Sequence, residues 1–342
     1  MDRLDDAQIA KLAQLVQRAA QDVGSGDLPS CQLALARNGQ IVIDITLGRP
    51  SCARYLAYSC TKAVTASAVW LLLQEGELTT GTLVADLVPG FGANDKEAVT
   101  VEHLLTHTAG FPDAPLTDEQ WSDPATRVNC FGHWQAQWAP GERYEYHGRS
   151  ASWVLAHLIE VVTGEDFREF IRTRVIEAVG LNHSTLGTLA EPGTAAHERA
   201  LEVAEPVTVG DPPDESAAEA LGLDISAIGT DQASLLEHAD PAVRKIGQPS
   251  GGMITTASDL ATFYQALLGN VDGPWTQQTL ALGTSEIRCT LGDPMTSVPA
   301  NRTLGLVVAG DDGHAMMRGL GRGVSASAFG HMGAGGQIAW AD

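Results

Sequence analysis

Ser59-Cys60-Thr61-Lys62 sets a hydroxyl and an amine three residues apart, at the head of a stretch that stays apolar through Ala63-Val64 and from Ala66 to Leu73. On a helix, residues i and i+3 share a face one turn apart. The stretch is apolar on every side, which predicts a buried helix rather than a surface one. Gly76 supplies its C-terminal stop. An amine carried into such a setting resists protonation, and its free lone pair can take the proton of the neighbouring alcohol. The chemistry this points to is acyl transfer through a covalent serine ester. The other lysines, Lys11, Lys96 and Lys245, have Gln8, Ala93 and Ala242 at the upstream position, so this Ser-x-x-Lys occurs once.

Other reactive side chains fit bland roles better. Cys60 adjoins Ser59 and reads as a small buried helical residue. His103 and His107 are four apart, as zinc ligands on a helix are. Leu104 stands where a metalloprotease would carry its general-base glutamate, so both histidines read as structural. No Gly-x-Ser-x-Gly elbow is present, which argues against an α/β-hydrolase. Gly319-Leu320-Gly321-Arg322-Gly323 neither follows a clear strand nor opens a clear helix and reads as a loop. Trp134 and Trp138 have helical spacing and could line an acyl pocket, although such a pair is more often core.

The elements that must position these groups follow from local patterning. An acidic start leads into an amphipathic helix through Ile9, Leu12, Leu15, Val16, Ala19 and Val23, where a secretory leader would be apolar. Cys31–Ala36 and Ile41–Leu47 flank Asn38-Gly39, a β-hairpin signature. Helices are expected over Val101–Thr106 and over Ser150–Thr163, the latter stopped by Gly164. Thr256-Ala257-Ser258-Asp259 resembles a capping box opening a helix that ends at Gly269. Residues 191–218, rich in Pro, Ala, Glu and Asp, read as a surface loop or flap. Strands return at Leu304–Ala309, Ala328–Ala334 and Gln337–Ala341, with Gly335-Gly336 as a tight turn. Strands at both ends around a helical middle give an α/β (α+β) reading with a helical insert.

Composition narrows the partners. The 342 residues are 44% hydrophobic and 18% charged, which describes a globular chain. A net charge of −21 repels nucleic acid and anionic membranes. The five cysteines lack metal-ligand spacing, no apolar run is long enough to span a membrane, and the expectation is a cytoplasmic protein with reduced thiols.

Several stretches, in order, resemble the serine β-lactamase and penicillin-binding-protein superfamily, in the class C-like branch that contains esterases. They are Ser59-Cys60-Thr61-Lys62; Val101-Glu102-His103-Leu104-Leu105-Thr106-His107-Thr108-Ala109-Gly110-Phe111; Pro140-Gly141 through Tyr144-Glu145-Tyr146; Pro249-Ser250-Gly251-Gly252-Met253 with the Asp259-Leu260-Ala261 helix; and Phe329-Gly330-His331-Met332-Gly333-Ala334-Gly335-Gly336. The resemblance implies a single β-lactamase-like domain over 1–342. Its antiparallel sheet would come from both chain ends (roughly 1–58 and 245–342) and a mostly helical part would span 59–244. It implies Ser59 as nucleophile, Lys62 as general base or sharing the proton with Tyr146, and Tyr146 as acid/base. It implies an oxyanion hole from the Ser59 and Ala334 N–H groups, and substrate contacts at His331, Gly333, Gly148 and His147. Any phenolate at Tyr146 would need Lys62 to stabilise it. No metal or organic cofactor is implied.

Three departures from the family pattern bear on function. Gly148 replaces the asparagine of Tyr-x-Asn, and His331 replaces the lysine of Lys-Thr-Gly. A neutral imidazole attracts a carboxylate less than a lysine would, so both changes favour a neutral ester, small or medium in size, over a β-lactam or a D-amino-acid peptide. A non-catalytic scaffold of the same fold is the third reading. The family continues with a further strand and a long C-terminal helix, whereas the sequence ends at Asp342, so apolar sheet surface is expected to be exposed.

Overall fold

The computed structural model describes residues 5–204, 232–238 and 240–342. Helix α1 (Asp6–Ser25) begins where Asp5 accepts the Gln8 N–H and Gln8 reaches back to the Asp5 N–H, a reciprocal cap. Strands β1 (Cys31–Arg37) and β2 (Gln40–Leu47) form the expected antiparallel hairpin. Asn38 and Gly39 take φ of 49° and 75°, the left-handed pair that a two-residue hairpin turn needs.

Among the described residues, two further small sheets are formed. Strands β3 (Tyr55–Leu56), β4 (Thr185–Leu186) and β5 (Met253–Thr255) pair in the order β3-β5-β4. Strands β6 (Val307–Val308), β7 (Phe329–Met332) and β8 (Ile338–Ala341) pair in the order β6-β7-β8, all antiparallel. Both chain ends therefore supply antiparallel strands, in two separately hydrogen-bonded pieces. A helix from Ala257 to Leu267, opened by Thr256 accepting the Asp259 N–H, packs against β1, β2 and β8 and joins them. The strand expected over Leu304–Ala309 is shorter because residues 303–306 curl, with Thr303 N–H donating to Leu306 O. Gly305 takes φ 112° there, and a Cβ on it would lie 2.4 Å from that of Ala66.

Helix α2 (Thr61–Gln74) is the core's axis, buried continuously from Thr61 to Leu72. Removing a leucine such as Leu71 from water stabilises the fold by roughly 1.5–3 kcal/mol. The Trp70 indole donates to Leu304 O at 2.7 Å and meets Trp275 edge-on at 6.5 Å. It packs so close to Gly283 that a Cβ there would sit 2.4 Å from the ring. Gly283→Ala is therefore expected to cost about 1–3 kcal/mol, read as a lower urea midpoint at unchanged slope. An unchanged midpoint would mean that Trp70 has room to move.

Two expectations need correction. Trp134 and Trp138 do not share a helix: the helix Pro124–His133 ends before them, Trp134 being its C-cap. The buried Trp134 indole donates to Pro115 O and the half-buried Trp138 indole to Arg143 O. Within 191–218, residues Ala195–Leu201 form a helix capped by Thr194, so polar composition hid a short helix. Residues 205–218 lie outside the described residues. Helices do occupy Val101–Leu105 and Ser150–Thr163 as expected. Leu35, Ile41 and Val42 on the hairpin and Met332, Ile338 and Trp340 on the last strands are exposed apolar side chains. Among the described residues, no helix is long and apolar enough to cross a membrane.

Candidate active site

Ser59 sits in a 3-10 turn (Tyr58–Cys60) that runs straight into α2. Tyr58 takes φ 43°, a left-handed backbone that bulky residues seldom adopt. The turn is held by Ala57 N–H donating to Met253 O and Cys60 N–H donating to Ala57 O. The half-buried Ser59 is thereby presented at the N-terminal end of a wholly buried helix.

Lys62 lies one turn on, only 5% exposed, with its Nζ 3.1 Å from Ser59 Oγ and 3.0 Å from Ser250 O. Burial, and after it the charges of Arg302 and Arg149, push the amine well below the ordinary lysine range. In the free-base form one N–H stays on Ser250 O and the lone pair is left for the Ser59 hydroxyl. The Ser250 carbonyl is a positioning group that the sequence reading did not assign. Its segment is tied to α2 by Thr65 Oγ1 donating to Pro249 O and Met253 N–H donating to Thr61 Oγ1. The tight Gly251-Gly252 turn was the available signal, since a Cβ at Gly252 would lie 2.6 Å from Gln248 N.

Tyr146 faces this pair, its ring centre 5.0 Å from Lys62 Nζ. The phenol oxygen is buried without a hydrogen-bond partner of good geometry. Burial pushes it up to about 12, partly offset by the Ser59 hydroxyl and the Arg302 charge. It is a neutral proton donor at pH 7. A free-base Lys62 cannot supply the charge expected to stabilise a phenolate. The Arg302 guanidinium carbon, 5.4 Å from the Tyr146 ring centre, can.

The histidines divide into separate tasks. His103 caps its helix, Nδ1 accepting the Thr100 N–H, while His107 accepts the His147 N–H and lies 4.7 Å from the Tyr146 ring. They do not converge, and no group of three His, Cys, Asp or Glu able to hold a metal exists among the described residues. His147 is fully buried, with Nδ1 on Glu145 O at 2.6 Å and Nε2 accepting the Phe111 N–H at 3.2 Å. Its expected substrate contact is corrected: backbone groups occupy both ring nitrogens, and the side chain buttresses the Tyr146 loop. Gly148 faces open space, with nothing within 4 Å of a built Cβ.

His331 lies on β7, its Nδ1–H donating to Met332 O at 2.7 Å. Its Nε2 is therefore a lone-pair acceptor, buried and unpartnered, on a ring 6.0 Å from that of Tyr146. Burial, then Arg302 and Lys62, hold it well below the ordinary histidine range, so it is neutral. The turn after β7 lies against the nucleophile's turn: a Cβ at Gly333 would be 2.7 Å from Ala57 O, and one at Gly335 2.9 Å from the Tyr58 ring. Gly333 commits its N–H to Gln337 O, and Ala334 is exposed on the same turn. Cys60, with no exposed surface, donates to His331 O, and burial pushes its thiol up to about 12, which leaves no thiolate to compete with Ser59.

A fold of small antiparallel sheets around a buried helix that presents serine and lysine defines the serine β-lactamase and penicillin-binding-protein-like class. The Beta-lactamase family model matches residues 12–342, and the chain belongs to that family. The chain is 27% identical to Esterase/beta-lactamase LipL of Mycobacterium tuberculosis, over 91% of its own length and 73% of that protein's. A penicillin-binding-protein homolog from Caulobacter crescentus superposes with a TM-score of 0.73 at 25% identity, over 96% of this chain and 88% of that one. A family VIII carboxylesterase superposes at 0.74 with 23% identity and the same coverage, which is a likeness of fold.

Proposed function

We propose that the protein is a serine hydrolase that cleaves carboxylic esters through an acyl-serine intermediate. The observation that carries this reading is the 3.1 Å approach of Lys62 Nζ to Ser59 Oγ in a site that disfavours the ammonium form. Ser59 Oγ bonds to the acyl carbon as its proton passes to Lys62. The oxyanion is met by the N–H groups of Ser59 and Ala334, and loss of one such donor typically costs ~10²–10³ in kcat. Collapse breaks the bond to the alcohol, which leaves with a proton from Tyr146. Water then attacks the acyl-enzyme by the same route in reverse, releasing the acid and restoring Ser59.

Ester preference rests on what faces the substrate. His331 is neutral where a cation would attract a carboxylate, and Gly148 offers no amide. LipL's name pairs esterase with β-lactamase, so the competing amide reading has the same machinery. Parallel assays with p-nitrophenyl butyrate and a chromogenic cephalosporin separate the two. The ester should turn over at least ~10-fold faster in kcat/KM, one such factor being only about 1.4 kcal/mol of discrimination. Rapid cephalosporin hydrolysis with a silent ester would replace the ester reading with the amide one.

A further inference from the structure

Arg302 stands behind the Tyr146 phenol as a buried charge without a counter-ion among the described residues. It is 7% exposed, its Nε donates to Tyr144 Oη at 3.1 Å, and its Nη1 is buried with no hydrogen-bond partner. Its backbone is pinned, N–H to Cys289 O and carbonyl accepting from Arg288 and Cys289. Among the described residues, the acidic group whose charge reaches it is Asp293, itself half-buried. A buried cation left unpaired is costly, and here it lies beside the atoms that must exchange a proton. Lys62 Nζ and the Arg302 guanidinium carbon lie 5.0 Å and 5.4 Å from the same ring centre.

We infer that Arg302 is a positioning residue of the proton relay: its fixed charge, beside the ring that Lys62 also faces, opposes a second positive charge on that amine and stabilises the phenolate that Tyr146 becomes when it gives up its proton. This rests on the acyl-transfer reading above. The other groups facing the pair do not supply the charge. His107, His147 and His331 are buried and held neutral, and so are the thiols of Cys60 and Cys289 and the Tyr144 phenol. Arg149 carries a charge that is met by Glu237 at 2.7 Å. Direct recognition of a substrate anion fits less well, because the free Nη1 has no solvent-exposed surface.

The sign of the effect follows from repulsion. Removing a cation eases protonation of Lys62, so the acid limb of kcat/KM against pH moves to higher pH. Because the two groups flank one ring, they are no more than about 10 Å apart, and a charge at that distance with an effective dielectric near 20 is worth about one pH unit, a tenfold change in proton affinity. Arg302→Gln should show that shift, and Arg302→Lys, which keeps the charge, should return the limb towards the wild-type position. Asp293→Asn should move it the opposite way by less, and it serves as the test if Arg302→Gln does not fold. Each variant is also assayed for the acyl adduct on Ser59 by intact mass. An adduct with the limb unmoved in both Arg302→Gln and Asp293→Asn overturns the role of Arg302 alone, whereas no adduct in the wild type overturns the acyl-transfer reading. A rise in KM confined to a carboxylate-bearing ester, with the limb in place, would assign Arg302 to anion recognition instead.

Discussion

Exchanging Lys62 for methionine should lower kcat/KM about 10³-fold, within the range of a lost general base, while Ser59 stays in place. The methionine fills much of the same buried volume, so the loss reads the amine rather than a collapsed helix. Lys62→Arg should do no better, since a guanidinium does not release its proton near neutral pH. If Lys62→Arg kept full activity, a positive charge near Ser59 would be the requirement and proton abstraction would not. The pH dependence has a definite sign. Activity needs the free base, so kcat/KM should rise with pH through the lowered pKa of Lys62 and flatten well below the ordinary lysine range. Stability follows the same direction: between the folded pKa and the unfolded value near ~10.4 the unfolded chain binds the extra proton, so this group's contribution to unfolding free energy increases with pH. In Lys62→Met that contribution should disappear from stability curves measured across the same interval.

Tyr146→Phe should separate leaving groups. The neutral phenol is assigned the proton that the departing alkoxide needs. An ethyl ester, whose alkoxide is a strong base, should lose about 10²–10³ in kcat. A p-nitrophenyl ester releases a stable phenolate without help and should lose about ten-fold or less. Paired measurement of the two esters on the wild type and variant checks this directly. Equal losses on both would move Tyr146 from the leaving-group step to activation of Ser59.

Much of the frame was legible because it is locally encoded. Asn38-Gly39 demands left-handed backbone at both positions and so announces its hairpin. Thr256 and Asp259 announce a helix start, and Gly164 announces a helix end. The spacing of Ser59 and Lys62 also survives folding unchanged, because one helical turn fixes it. What was not legible depends on contacts between distant residues. His147 looked available beside Tyr146, yet Phe111, 36 residues earlier, occupies one of its nitrogens. Arg302 meets Tyr144 across 158 residues, and the only local sign was an arginine entering the apolar run Leu304 to Ala309. The Ser250 carbonyl that orients Lys62 carries no side-chain signature at all. The division of the end strands into two sheet pieces was likewise invisible, since hydrophobic alternation marks strands without naming their partners.

On the proposed mechanism, Ser59 itself becomes acylated because a buried free amine activates it. Intact-mass measurement after exposure to a fluorophosphonate, followed by peptide mapping, tests that most directly. One adduct per chain is expected on Ser59, undiminished in Cys60→Ala and missing from Ser59→Ala. Equal labelling of wild type and Ser59→Ala, or labelling of neither, would contradict the account and leave the fold as a scaffold without this chemistry.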